Sequence, residues 1–227
     1  MFWTTGLPKR ISMTVLAAVA LSGCKVDSDF DLFVTDVFAV SESGQYLNTP
    51  TQIRIEAVSK ERCEENKEAV REILSKYYPL KDPPVCQNVG LDTYVSLRVH
   101  VPVMKLPEGN FELPESAPSA LGLKELPNGS VEVYGLISPS RFKLMENDFQ
   151  NLNSSIRLQI GDVQITLTND DRNPHRVFGP ASWINDIPNF GPSIDVEGRE
   201  RVVWKASDVA EAFLAINHFV WLMTIEP

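Results

Sequence analysis

Between residues 93 and 103 apolar and polar side chains alternate without a break, and Val95, Leu97, Val99, Val101 and Val103 all fall on one face. A period of two over eleven residues fits a strand with one face buried, because successive side chains of a strand point to opposite sides. The same alternation recurs at Phe30, Leu32 and Val34. It recurs at Ile53, Ile55 and Ala57, after the turn signal Asn48-Thr49-Pro50, and at Val131 and Val133 after Pro127-Asn128-Gly129. Residues 155–168 predict a hairpin, with Ile156, Leu158 and Ile160, then Gly161-Asp162, then Val163, Ile165 and Leu167. A two-residue Gly-Asp loop suits a type II′ turn and would place all six apolar side chains on one face. The apolar, β-prone run over residues 219–225 predicts a buried closing strand.

Helical signals interrupt this pattern three times. Ser59 is an N-cap candidate for a helix over residues 60–78, with Cys63, Val70, Ile73, Leu74 and Tyr77 at helical spacing and Pro79, Pro83 and Pro84 beyond its end. Ser138-Pro139 sets a cap followed by proline at the first helical position, ahead of Phe142, Met145 and Phe149. Ser207 and Asp208 open a third helix, with Val209, Ala212, Phe213 and Ile216 expected to face inward. Strands and helices do not alternate regularly enough for a doubly wound parallel sheet. The expected fold class is therefore α+β, a mostly antiparallel sheet with about three helices, without internal repeats.

The 227 residues suit one domain with a proper core. With 21 basic and 30 acidic residues the chain carries −9, which argues against nucleic-acid binding through phosphate neutralisation. Three cysteines and three histidines leave little material for a metal cluster.

Residues 1–23 must be set aside before any folding argument. Lys9 and Arg10 precede an uncharged, mostly apolar run over residues 11–21, shorter than the about 20 residues that span a bilayer. The run ends in Leu21-Ser22-Gly23-Cys24. This leader resembles that of bacterial lipoprotein precursors, with residues 21–24 matching the lipobox. The resemblance implies that Cys24 receives a diacylglycerol on its thiol, that the signal peptide over residues 1–23 is cleaved, and that the new N-terminus is acylated, for example with palmitate. It also implies a place in the cell envelope. In a diderm host Lys25, which is not the inner-membrane retention aspartate, implies the periplasmic leaflet of the outer membrane. Several acyl chains on one residue anchor stably where a single chain binds marginally. Cleavage leaves 204 residues at a net charge of −11. The acyl chains would then hold the protein to the membrane, because its acidic surface is repelled by anionic lipid. Residues 24–28 are expected to be a lipidated tether and residues 29–227 a single globular domain. Four extended linker residues would reach about 14 Å, keeping the domain close to the bilayer.

With Cys24 committed to lipid, Cys63 and Cys86 remain, in a compartment that oxidises thiols. A structural disulfide between them is the expectation, beside the alternatives of free buried thiols or an intermolecular bond. A CxxC motif is absent.

Catalytic signals are sparse. His100 falls on the polar parity of a strand and His218 near a helix end. His175 follows Asp170, Asp171 and Arg172, and two carboxylates with an imidazole are a candidate site for a divalent metal or for acid–base work. The same residues are also ordinary turn formers. The chain has no Gly-x-Ser-x-Gly elbow, no His-Glu-x-x-His and no glycine-rich phosphate loop. A carboxylate pair for glycoside hydrolysis stays open, since thirty acids always supply some pair. No cofactor is expected.

Two proline-rich segments read as long irregular loops. Residues 105–130 carry Phe111, Leu113, Leu121 and Leu123, and residues 172–200 carry Phe178, Trp183 and Phe190. Long loops are uncommon and often functional, so Phe178, Trp183 and Phe190 are candidate partner-binding residues; the alternative is that such side chains pin the loops to the core. The expected function is that of a non-enzymatic, membrane-anchored envelope lipoprotein that binds another protein of the envelope. Two other readings stay open: a lipid-anchored hydrolase or metal-dependent enzyme using Asp170, Asp171 and His175, and a small-ligand-binding module with its cavity between sheet and helices. From Cys24 through Cys86 and the strand after it, the chain also resembles uncharacterised lipoproteins of bacterial and prophage genomes. That resemblance implies a specific version of the first role, the blocking of an outer-membrane receptor from inside, and it assigns no active residues.

Overall fold

The computed structural model describes residues 24–107, 111, 113 and 117–227. The expected leader, residues 1–23, lies outside the described residues. In chain order the first half of the fold runs β1 (Cys24–Phe33), α1 (Val34–Ser43), β2 (Leu47–Ala57), α2 (Lys60–Ser75), β3 (Val85–Val89), β4 (Asp92–Lys105), β5 (Ser119–Glu125) and β6 (Val131–Ile137). The second half runs α3 (Pro139–Leu152), β7 (Leu158–Thr168), β8 (His175–Phe178), β9 (Ser182–Ile184), β10 (Ile187–Asn189), β11 (Ile194–Val196), β12 (Arg201–Ala206), α4 (Asp208–Asn217) and β13 (Phe219–Ile225). All thirteen strands belong to one sheet, ordered β10-β9-β12-β7-β1-β2-β4-β5-β6-β13-β8-β11, with β3 pairing to the first half of β4. The pairs are antiparallel except β1–β7 and β4–β5.

The expected α+β class is corrected by this arrangement. With 47% of the described residues in strands and 25% in helices, the protein is mostly β, a single sheet curled into a half-barrel with four helices. Two causes account for the difference. Residues 172–200 hold four short strands where an irregular loop is expected. In addition, the strand expected through Val34 stops at Phe33 and turns into α1. Val34, Val37 and Val40 are buried on one side of α1, but valine's preference for strands hides this helix from a propensity reading.

The expected hairpin over residues 155–168 is also corrected. β7 runs straight through Gly161-Asp162, which together oppose the single residue Asp27 of β1. This is a β-bulge: one extra residue flips the side-chain parity just as a two-residue turn would. Ile160 and Val163 share a face in both cases, so alternation alone cannot separate them. Likewise β2 runs through the expected turn at Asn48-Thr49-Pro50. Pro50 needs no ladder donor there, because it lies one residue past the last β1–β2 pair and the facing His100 N–H donates to Pro79 O instead.

Elsewhere local chemistry sets the elements. The hydroxyls of Ser59, Ser138 and Ser207 accept from the N–H groups of Arg62, Arg141 and Ala210, capping α2, α3 and α4. A Cys63–Cys86 disulfide, with Cα atoms 5.9 Å apart, clips β3 to the first turn of α2. A loop closed in this way is worth about 3 kcal/mol on the chain-entropy account. The main core fills the inside of the curl, where Leu97, Leu121, Val133, Ile165, Trp204 and Met223 are fully enclosed. A second, smaller core covers the other face of β6 and β13, where Phe111 stacks on Phe219 at 4.5 Å and packs with Leu106, Leu113, Tyr134 and Leu136. The aromatic of this expected loop is therefore a pin, and Leu121 and Leu123 belong to β5.

The two flanks of the curl meet where β8 passes to β9. β8 pairs with β13 and β9 with β12, and only Gly179-Pro180-Ala181 separates β8 from β9. A side chain at Gly179 would sit 2.6 Å from the Leu222 carbonyl oxygen and 2.8 Å from the Trp204 ring, so only glycine lets the backbone cross this seam.

Candidate functional site

The curl opens between α3 and α4 in a groove of about 500 Å³. Leu158 and Ile160 of β7 line it together with Ile137, Pro139 and Phe142 from one side and Ala215 and His218 from the other. Behind it lies an apolar cavity of about 40 Å³ lined by Phe30, Phe142, Ile160 and Leu214. The Tyr78 and Ser119 hydroxyls, 2.8 Å apart, also border it. That volume holds water at most, whereas small-molecule sites occupy about 300–1,000 Å³. A ligand module with an enclosed cavity thus finds no room there, whereas the open groove is large enough.

Cys24 stands at this opening. It is the first residue of β1 and is paired in register with Leu158 of the groove, and its N–H donates to Arg157 O at 2.8 Å. Its side chain shares the core-facing parity of Val26 and packs, half-buried, against the main core. Residues 25–28, expected as linker, are instead strand paired with β7, β2 or both, and among the described residues the sheet already includes Cys24. Burial and the Glu56 carboxylate push the Cys24 thiol up, which disfavours thiolate chemistry.

Next to the groove the bulge gathers charge. Asp27 is buried, and its Oδ1 accepts from Asp162 N–H at 2.9 Å while the Arg54 Nε lies 3.6 Å from its Oδ2. Glu211 of α4 accepts from Val163 N–H at 3.1 Å, and Lys205 donates to Asp162 at 2.6 Å. Burial raises the Asp27 carboxyl above its ordinary value. Burial, with help from the Asp162 and Asp208 carboxylates, raises Glu211 to about 7. Glu211 is therefore a proton-binding group near neutrality, tied to the backbone of the bulge.

The loop after β7 spends its residues separately. Asp170 caps α1, whose own N-cap residue Phe33 has no side-chain acceptor: the Thr35 N–H donates to Asp170 Oδ1 at 3.0 Å and the Thr35 hydroxyl donates to Oδ2. Burial works against the Asp170 carboxylate, but these bonds outweigh it and hold its pKa below the ordinary range. His175 is buried against Phe38, ring centroids 5.5 Å apart, with Nδ1 2.9 Å from Glu226 O and Nε2 3.4 Å from Asp171 Oδ2. Asp171 and His175 thus meet, while Asp170 turns to α1. Among the described residues no group of three or more His, Cys, Asp or Glu side chains is placed to hold a metal ion.

The three candidate aromatics also part. Phe178 packs edge-on against Trp221 of β13, ring centroids 6.4 Å apart. Trp183 and Phe190 lie across the seam on the β9–β10 hairpin, 42% and 85% exposed, with Ile187 between them at 68%. Asn185 and Asp186 join the two strands with φ of 49° and 64°, the left-handed pair of a type I′ turn. Ile187 is missing from the sequence-derived set; Asn185-Asp186 between two apolar pairs is the signal that would have found its hairpin.

The inward face expected for α4 is corrected. Ala210 and Leu214 are the buried residues, while Val209, Phe213 and Ile216 are 79%, 45% and 75% exposed. Periodicity marks the stripe but not the side on which the sheet lies. No helix among the described residues is long and apolar enough to cross a membrane.

None of the curated proteins and no solved structure matches the chain. The family model of a domain of unknown function, DUF7424, matches residues 26–225 and so takes in nearly the whole half-barrel, from β1 to β13. The chain belongs to the DUF7424 family.

Proposed function

We propose that the protein is a lipid-anchored envelope lipoprotein without catalysis of its own, held to a membrane through Cys24 and presenting the β9–β10 hairpin to another envelope protein. The observation that carries the binding role is the exposure of Trp183 and Ile187 on the β9–β10 edge hairpin and of Phe190 directly after it. Trp183 lies opposite Pro188 on one face of the hairpin and Ile187 opposite Ile184 on the other. Large apolar side chains exposed at a sheet edge fit a partner surface, since aromatic anchors dominate interface energetics. The basic, apolar and lipobox pattern of residues 9–24 supports the anchor. Lys25 after the cysteine supports the periplasmic leaflet of the outer membrane in a diderm host.

The hairpin lies four strands from β1 in the sheet order, about 19 Å at about 4.8 Å per strand. Its partner is accordingly expected at the same membrane as the anchor. Deleting residues 172–200 would remove four strands, so the interface is tested by single side chains. A photo-crosslinking residue replacing Phe190 in cells is expected to yield one discrete adduct with an envelope protein, and Ile187→Ser is expected to abolish it. Scattered or absent adducts sink the reading. For the anchor, Cys24→Ser is expected to move the protein from salt-washed membranes to the soluble fraction; retention on the membrane sinks that half.

A further inference from the structure

The Cys24 end of the molecule has three features that fit together. First, no linker separates Cys24 from the sheet: its N–H bonds Arg157 O, and residues 25–30 are paired with β7, β2 or both. A lipid on this residue therefore cannot hold the domain away from a membrane. Second, Cys24 pairs with Leu158, which lines the groove, and the opposite wall of that groove is Ala215 of α4 and its C-cap residue His218. Third, the outer side of the same helix carries Val209, Phe213 and Ile216, spaced i, i+4 and i+7, so three large apolar side chains project to solvent in one stripe.

From these the geometry points to the α3–α4 end as the face that rests on the lipid surface, with the outer stripe of α4 set into the headgroup layer. This rests on the reading of Cys24 as the anchor. The body carries −11 after cleavage, and α4 itself holds Asp208 and Glu211 but no lysine or arginine. On α3, Arg141 and Lys143 are matched by Glu146 and Asp148, and Lys143 is paired with Glu146. The two helices together thus carry no net positive charge for anionic lipid, and the occupant is a zwitterionic lipid surface met through apolar contact. Ten residues with three apolar projections bind a bilayer weakly alone. The anchor makes the contact intramolecular and raises its effective concentration, which is what a weak contact needs. The groove runs from α4 toward Cys24, with Ile137, Phe142, Leu158 and Ile160 in its lining beside Lys143, Glu146 and Gln159.

The test uses the full chain, lipidated during expression in a diderm bacterium and reconstituted into phosphatidylcholine vesicles. Cys24 carries lipid, and Cys63 and Cys86 are bonded to each other, so one added cysteine is free for a spin label. Phe213→Cys and Ile216→Cys labels are expected to become several-fold more accessible to oxygen relative to a water-soluble nickel chelate than in the soluble Cys24→Ser background. A Phe190→Cys label is expected to stay aqueous in both. Labels at 213 and 216 that remain as nickel-accessible on vesicles as in solution overturn the orientation, and so does dipolar broadening between labels, which a second copy seated on the stripe would give. Mass analysis of the N-terminal peptide separates the two readings: without lipid on Cys24 both fail, whereas lipid with aqueous labels removes the orientation alone.

Discussion

The stripe on α4 and the β9–β10 hairpin both leave large apolar side chains in water, yet one is held from beneath and the other from its base. α4 is seated on β6, β7 and β13 by Leu214 and Ala210, is capped by Ser207, and is bonded to the bulge through Glu211. The hairpin is held on its β9 side, where β9 pairs with β12 and Ile184 enters the main core, and beyond that by backbone geometry. Asn185 exchanges bonds with Val203 of β12, its N–H donating to Val203 O and its Oδ1 accepting from Val203 N–H, both at 2.9 Å. The Gly179 crossing fixes where the hairpin starts. The difference teaches that exposure alone does not say how a surface is supported. A seated helix fails through its inner residues, and an edge hairpin fails through its turn and root.

The largest effect should come from beneath α4. Leu214 is 3% exposed, and Leu214→Ala is expected to cost about 3 kcal/mol, from the transfer of a buried side chain and the cavity left behind. Ile216→Ala, one residue pair away on the outer stripe, should stay within about 0.5 kcal/mol. Denaturant midpoints of the two variants check this, and equal losses would break the division into inner and outer faces. Next comes the root of the hairpin. Gly179→Ala forces a methyl group against the Leu222 carbonyl and the Trp204 ring, and overpacking of this kind costs about 1–3 kcal/mol. Thermal unfolding of that variant with no shift would show that the seam has slack.

How far this contrast could be read in the residues depends on whether the deciding contact is local. The caps Ser59, Ser138 and Ser207, the face of β4 and the existence of the closing strand β13 were legible, because a cap, a parity and an apolar run are fixed within a few positions. The Cys63–Cys86 bond was legible from the cysteine count together with the expectation of export. Gly161-Asp162 was not, since a bulge and a two-residue turn give the same alternation. The direction of the α4 stripe was not, since 3.6-residue periodicity carries no label for the core. Gly179 is silent in sequence, because what it admits lies on β12 and β13. Among the candidate residues, the approach of Asp171 to His175 is a contact within one short loop. The diversion of Asp170 to α1 is a contact across 135 positions.

The support beneath α4 should also depend on pH. Burial raises Glu211 to about 7 from an ordinary 4.5. Below the ordinary value the group is protonated whether the chain is folded or not. As pH rises from about 4.5 the unfolded chain gives up the proton while the folded one keeps it, so this contribution to stability is lost progressively and is gone above about 7. Burial of Asp27 acts with the same sign. Glu211→Gln keeps an acceptor for Val163 N–H and removes the charge. It is expected to match the parent near pH 4.5 and to exceed it by on the order of 1–2 kcal/mol at pH 8, a discounted value for a partly solvated group. Parallel stability curves for the two proteins from pH 4 to 8 would mean that the carboxylate is not what couples α4 to the bulge.

The smallest effect on folding belongs to the hairpin tip, where it is the most informative. Ile187 and Phe190 are 68% and 85% exposed, so they bury little apolar area on folding and Ile187→Ser with Phe190→Ser should change stability by no more than about 0.5 kcal/mol. If the hairpin is a partner surface, the double variant folds as the parent does and loses the crosslinked adduct. A loss of stability near that of Gly179→Ala would instead make these side chains props of the β9–β10 pair, and the likeness between the hairpin and the α4 stripe would end there. The serine pair also removes apolar surface from an edge strand, so the monomer should be no more prone to edge-to-edge association than the parent.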